Sequence, residues 1–280
     1  MSIGKSVVLI SWDGKSEPLS HLHVDATPNF DVIIFDYSGN HPDSEEIYVR
    51  RNGFDFSAIV LSIKTECKGQ LFQALGNYLE TLSHNPPEYV SLIDDDVIMA
   101  ISDINRALHI ARTAQLDVFS PTLTHDSYFS HRWMLQQPHI QIRSVNWVEV
   151  MCPFYKFDIF MMAAPYFNGY TSSWGFDKYL FPTIQKINNR NKTALLDGIA
   201  ATHFRPITSQ EKRFKNGMTA FEEMDALKKI CTSLIQEKQP ELVNTDWYKS
   251  IFKRKNYYSY WEKHLYLLGR PIKHWLAKSA

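Results

Sequence analysis

Cysteine is scarce and odd in number: Cys67, Cys152 and Cys231 stand far apart. That pattern argues against a disulfide framework and for a reducing compartment, so the expected location is cytoplasmic. None has the close partner of a zinc or redox motif, and each reads as a small buried hydrophobe. Net charge is absent too, with 30 Lys and Arg against 30 Asp and Glu, so no overall field draws the chain to nucleic acid. No apolar run approaches the length needed to cross a bilayer. The run from Ser6 to Trp12 is too short for a signal peptide and reads as a first strand. Neither a G-x-G-x-x-G nor a G-x-x-x-x-G-K-[ST] motif occurs, which removes the main warrant for a dinucleotide oxidoreductase or a P-loop enzyme.

What is present is an ordinary globular composition, 280 residues with 44% hydrophobic and 21% charged, enough for one large α/β domain or two small ones. Aromatics reach 14%, more than a core needs, and such rings often line sugar or base sites. Apolar runs predict strands at Val7–Trp12, Phe30–Tyr37, Phe56–Leu61 and Tyr89–Ile93, with a helix over Gly69–Ser83. That order points to a mostly parallel sheet flanked by helices. Further on, helices are predicted over Asp103–Gln115, Asp177–Ile187 and Phe221–Gln236, and strands at Asp117–Pro121, Val145–Met151 and Thr193–Leu196. Phe154–Met162 reads as strand or helix, and Thr122–Pro138 as a polar-aromatic loop without a clean period.

The most informative feature is Asp94-Asp95-Asp96, placed directly after the apolar run Tyr89–Ile93. A buried strand that ends abruptly in acids delivers charge to the sheet edge where ligands bind. Adjacent anions repel, so a cation is expected there, and hard oxygen ligands suit Mg²⁺ or Mn²⁺. A solvated turn with acidic caps for the next helix is the plainer alternative. Two more segments stand out: Ser173-Trp174-Gly175-Phe176-Asp177, and His203 after an apolar strand. An acid collared by Trp174, Phe176 and Tyr179 can have its pKa raised toward neutrality and act as a general base, or it can simply start a helix. His203 taken alone reads more readily as a hydrogen-bonded structural residue than as a ligand.

In this order the three features resemble those of the GT-A glycosyltransferases, which use nucleotide-sugar donors. The aspartate cluster resembles that fold's DXD motif, the Trp-Gly-Phe-Asp stretch the segment whose acid serves as base in inverting members, and His203 the histidine that completes the metal site. The resemblance implies a GT-A-like domain over residues 1–210 and a C-terminal helical appendage over 211–280. It implies Asp94, Asp96 and His203 around Mn²⁺ or Mg²⁺, with Asp177 as catalytic base. Donor contacts would come from Ser11, Trp12, Asp13, Lys64, Lys68 and Asp95, and acceptor contacts from Trp174, Gly175, His131 and Arg132. The implied activity is metal-dependent, inverting sugar transfer from a nucleotide-diphosphate donor, UDP-sugar first, to a glycan or lipid-linked glycan. A metal-dependent phosphoryl or nucleotidyl transferase, drawing on Asp13, Asp31 and Asp36, and a non-catalytic carbohydrate-binding protein are the competing readings. The last thirty residues carry Lys253, Arg254, Lys255, Lys263, Arg270, Lys273 and Lys278, interleaved with Trp261, Tyr266 and Trp275. Such a tail suits peripheral contact at the inner face of a membrane, or a terminal helix with a solvated basic face.

Overall fold

The computed structural model describes residues 5–82, 84–206 and 212–253. The chain is an α/β protein built on an 11-stranded sheet. Its first half runs β1 (Val7–Trp12), β2 (Leu22–His23), β3 (Asp31–Asp36), β4 (Glu45–Arg51), β5 (Phe54–Ser62), α1 (Lys68–Thr81), β6 (Tyr89–Ile93) and β7 (Val97–Ala100). The second half continues with α2 (Ile101–Ala114), β8 (Val118–Leu123), β9 (Arg143–Ser144), β10 (Phe154–Lys156), α3 (Phe157–Ala163), α4 (Phe181–Ile187), β11 (Thr193–His203) and α5 (Ala220–Lys238). Strand order across the sheet is β2-β7-β11-β8-β10-β6-β1-β3-β5-β4, with β9 pairing on β11. The long buried strands β1, β3, β5, β6, β8 and β11 all run one way. The strands running the other way are β10 between β6 and β8, β7 and β9 beside β11, β2 beside β7, and the edge strand β4.

Parallel strands covered by helices read as continuous apolar runs, and β1 and β6 are buried at every position. Their register sets Ile10 beside Ile93 and Trp12 beside Asp36. The residues that follow β1, β3 and β6 therefore emerge at one edge of the sheet. Behind it, Phe72, Tyr155, Phe160, Phe167, Phe176 and Phe181 interlock at ring separations of 3.8–6.3 Å. That aromatic block fixes α1, α3 and α4 against β10.

Three elements differ from the sequence-based expectation. Residues 145–151, expected as a strand, are irregular apart from a turn at the end. Residues 54–62 gain an antiparallel partner, β4, through a two-residue hairpin in which Asn52 (φ 53°) and Gly53 (φ 83°) are both left-handed. The helix expected over Asp177–Ile187 begins as a π-turn, Phe176–Leu180, in which Leu180 N–H donates to Gly175 O at 3.0 Å before α4 takes over.

The described residues fall into two compact units, divided between residues 241 and 242, so α5 belongs to the first. Within the second, Thr245 caps a helical turn at Asp246–Tyr248, and Tyr248 stacks on Phe252 at 4.7 Å. The basic aromatic tail from residue 254 onward lies outside the described residues. No helix among the described residues is long and apolar enough to cross a membrane.

Candidate functional site

Asp94, Asp95 and Asp96 leave the end of β6 and each takes a different partner. Lys68 of α1 reaches Asp94 Oδ1 at 2.6 Å and also donates to the Val150 carbonyl. Burial still pushes the Asp94 carboxyl up to about 6, with Lys68 opposing and Asp96 adding to the rise. Asp95 Oδ2 accepts from the Tyr37 hydroxyl at 2.9 Å and from Arg205 at 3.0 Å. Asp96 Oδ2 lies 3.3 Å from His203 Nε2, while its Oδ1 is buried with no hydrogen-bond partner.

His203 ends β11, which pairs antiparallel with β7 so that His203 sits opposite Val97. Its Nδ1 lies 2.8 Å from the Tyr128 carbonyl oxygen. A carbonyl oxygen only accepts, so Nδ1 carries the proton and Nε2 is the nitrogen turned to Asp96. In the protein alone the contact requires a proton on Nε2. Burial pulls the His203 pKa down, but the Asp96 hydrogen bond and charge outweigh it and hold the ring above its ordinary value. Asp96 responds in the opposite sense: burial opposes, but His203 holds it below the ordinary value. A divalent cation could replace that proton, ligated by His203 Nε2 and the unpartnered Asp96 oxygen. Among the described residues no three His, Cys, Asp or Glu side chains are placed to hold a metal unaided. A cation here would draw its remaining ligands from substrate and water.

Around this edge, Asp13 closes its own turn, with Oδ1 accepting from Lys15 N–H, Ser16 N–H and Ser16 Oγ. Trp12 anchors the same turn through Nε1 to Ser16 O at 2.7 Å and packs on His41 at 4.3 Å. Ser11 Oγ is buried without a partner. His21, which no motif marks, has a buried, unpartnered Nε2 and feels the charges of Asp95 and Asp96. Lys64 follows β5 at the same edge of the sheet and lines a cleft of about 440 Å³ with Lys212 and Lys215.

Asp177 enters from the Trp-Gly-Phe-Asp segment. Gly175 has φ +89°, a conformation that favours glycine, and a Cβ there would crowd Met224 and Tyr179 at 3.1 and 3.2 Å. Trp174 packs edge-on against Phe221 of α5 at 5.1 Å. The segment before it is pinned by Glu223, fully buried on α5, which accepts from Thr171 N–H, Ser172 N–H, Ser172 Oγ and Asn216. The Asp177 carboxyl is pushed up to about 7, first by burial and then by the charge of Glu149.

Glu149 is the functional candidate that sequence reasoning missed. It lies in the irregular 145–151 segment, is 6% exposed, and its Oε2 has no partner while Ser130 bonds the carboxyl. Burial raises its pKa, and it feels His203, Lys68 and Asp94 on one side as it acts on Asp177 on the other. It therefore links the acidic edge to Asp177. The signal was a lone acid inside an apolar run, Val148-Glu149-Val150-Met151. His131 and Arg132 stand at a 3₁₀ turn, Arg132–Met134, where His131 packs with Trp133 and Trp147.

No family model and no curated protein matches the chain. Among solved structures it is similar to S. aureus TarS 1–349 in complex with UDP-GlcNAc, at 11% identity and TM-score 0.47, covering 84% of this chain and 68% of that one. A longer S. aureus TarS structure gives 11% identity and TM-score 0.48, over 86% of this chain but only 44% of that one. A197 from STIV matches at 15% identity and TM-score 0.38, over 77% and 93% of the two chains.

Proposed function

We propose that the chain is a glycosyltransferase that moves a sugar from a nucleotide-diphosphate donor, UDP-sugar first, to a glycan or glycoconjugate hydroxyl with inversion. Two unlike devices, both within reach of the Glu149 charge, support the reading. One is a buried Asp96 oxygen without a partner beside His203. The other is a collared carboxyl, Asp177, poised at about 7 and coupled to the first device's surroundings through Glu149. Departure of a nucleoside diphosphate needs negative charge neutralised, and an attacking hydroxyl needs its proton removed.

Asp96 and His203 would hold Mn²⁺ or Mg²⁺, which would supply Lewis-acid stabilisation of the leaving diphosphate. Arg205, already turned toward this edge by Asp95, adds a fixed positive charge there. Asp177, partly open to solvent, accepts the proton of the acceptor hydroxyl as that oxygen attacks the anomeric carbon. The buried environment that raises its proton affinity makes it an effective base near neutral pH.

The phosphoryl-transfer reading requires further free carboxylates at this edge, and the acids it would enlist are engaged or misplaced. Asp36 accepts from Ser38 N–H and Oγ, Asn40 N–H, His41 N–H and Ser62 Oγ, and its Oδ2 contacts His41 Nδ1. Asp31 opens β3 and so stands at the opposite edge of the sheet.

Thermal denaturation with UDP and Mn²⁺ tests the reading. Together they should raise the melting temperature by several degrees, near 2.7 kcal/mol or about 100-fold saturation, whereas each alone should not. Asp96→Ala should abolish the shift. Stabilisation by nucleoside triphosphates in place of UDP would favour nucleotidyl transfer instead.

Glu149 gives a pH test. Rates should climb as pH rises through the Asp177 pKa, since the base works deprotonated. Glu149→Gln removes the neighbouring negative charge, so the acid limb should move to lower pH by on the order of one unit. A limb that stays in place in a folded variant would show that Glu149 does not tune the base.

A further inference from the structure

We propose that the rings of His131, Trp133 and Trp147 form a stacking platform that seats one neutral pyranose ring of the acceptor beside Asp177. The inference rests on the glycosyl-transfer reading of the site and names the chemistry of its second substrate.

The rings form a mutually packed corner. Trp147 meets His131 edge-on at 4.8 Å and Trp133 edge-on at 4.9 Å, while His131 and Trp133 lie near-parallel at 5.9 Å. All three are half-buried rather than core residues, so ring surface remains open. A pyranose offers an apolar face of axial C–H bonds and an equatorial rim of hydroxyls, which suits a flat ring with polar groups around it.

The corner is held rigidly. Asp197, 2% exposed on β11, binds Arg143 through two contacts at 2.7 and 3.0 Å, and Arg143 donates onward to the carbonyls of Trp133 and Leu135. Gln137 N–H and Gln136 Nε2 close the same network on Asp197. A buried, fully engaged ion pair therefore sets the backbone that carries Trp133, and a preorganised wall loses little entropy on binding.

The corner is joined to Glu149, whose charge acts on Asp177. Ser130, one residue before His131, bonds the Glu149 carboxyl, and Trp147 precedes Glu149 by two residues. His131 senses Lys178, the neighbour of Asp177. Burial and that ammonium push its pKa down to about 4, so it is neutral near pH 7 and presents no charge to a neutral sugar.

The test uses the full chain with chitotetraose and maltotetraose as neutral pyranose probes, titrated by calorimetry and examined by saturation-transfer NMR. UDP–Mn²⁺ thermal shifts are recorded on the same samples. At least one probe should bind the wild type, with saturation strongest on ring C–H protons. Trp147→Ala and Trp133→Ala should weaken it about tenfold, Trp147→Phe should restore much of the loss, and the UDP–Mn²⁺ shift should not change. Equal sugar affinity in both alanine variants overturns the platform. So does an intact UDP–Mn²⁺ shift with no sugar bound by the wild type, which leaves the donor reading standing. Loss of both responses in the wild type removes the donor reading and the platform together.

Discussion

Asp177→Asn is expected to lower kcat by about 10²–10⁴-fold while leaving the UDP–Mn²⁺ thermal shift intact. The amide preserves the shape of the side chain but cannot accept the acceptor proton. Donor-side groups Asp96, His203 and Arg205 belong to other elements and are untouched. The pH profile sharpens the test. With a pKa of about 7 in the folded protein, the wild-type rate should rise through neutrality and level off, and the variant should lack that limb. Stability gives an independent control. An acid whose folded pKa is raised costs the native state stability progressively as pH climbs from its ordinary carboxylate pKa to the folded value of about 7, and the full cost holds above that. The asparagine variant should thus be at least as stable as the wild type at pH 8. Unchanged turnover would remove Asp177 as the base.

Glu223→Ala should reduce unfolding free energy by about 3 kcal/mol or more, the scale of a buried carboxylate network left with stranded donors. Glu223 is fully buried and accepts from two backbone N–H groups, one hydroxyl and one amide. Removing it leaves Thr171 and Ser172 N–H without partners in a region closed to water. The same segment receives the start of α1: Gly69 N–H donates to Thr171 O, and a Cβ on Gly69 would come within 2.3 Å of the Ser172 carbonyl oxygen. Loss of the carboxylate should therefore loosen the approach to Asp177 as well as the fold. Chemical denaturation reads the first effect, and a fall in kcat at temperatures where the variant is still folded reads the second. A loss below 1 kcal/mol would mean that the network is not the clamp its geometry indicates.

What the sequence made legible follows from where burial and chemistry coincide. β1 and β6 are buried at every position and mostly apolar because both sheet faces are covered, and the acids that follow β6 mark the edge. Gly175 likewise signalled a turn that other residues resist. Boundaries of α1, α2 and α5 shifted by only one or two residues, as frayed ends do. β4 was hidden because it is an edge strand rich in Glu and Arg with little burial, although Asn52-Gly53 announced its hairpin. Residues 145–151 misled in the other direction. Their apolar side chains serve a buried irregular segment, and periodicity cannot tell such a run from a strand. The partners that decide each acid's role were also out of reach, since Lys68 with Asp94, Tyr37 and Arg205 with Asp95, and Glu149 with Asp177 are long-range pairings.

One ammonium group ties two parts of this edge together. Lys68 holds Asp94 at the strand end and, at the same time, the Val150 carbonyl next to Glu149. If the edge receives a nucleoside diphosphate as proposed, its phosphate oxygens would compete for the same three N–H bonds. Whatever they withdraw from Val150 is withdrawn from the backbone that carries both Glu149 and Trp147. On that reading a single side chain would couple the two sides, so filling one should change the affinity of the other without either having to be filled first.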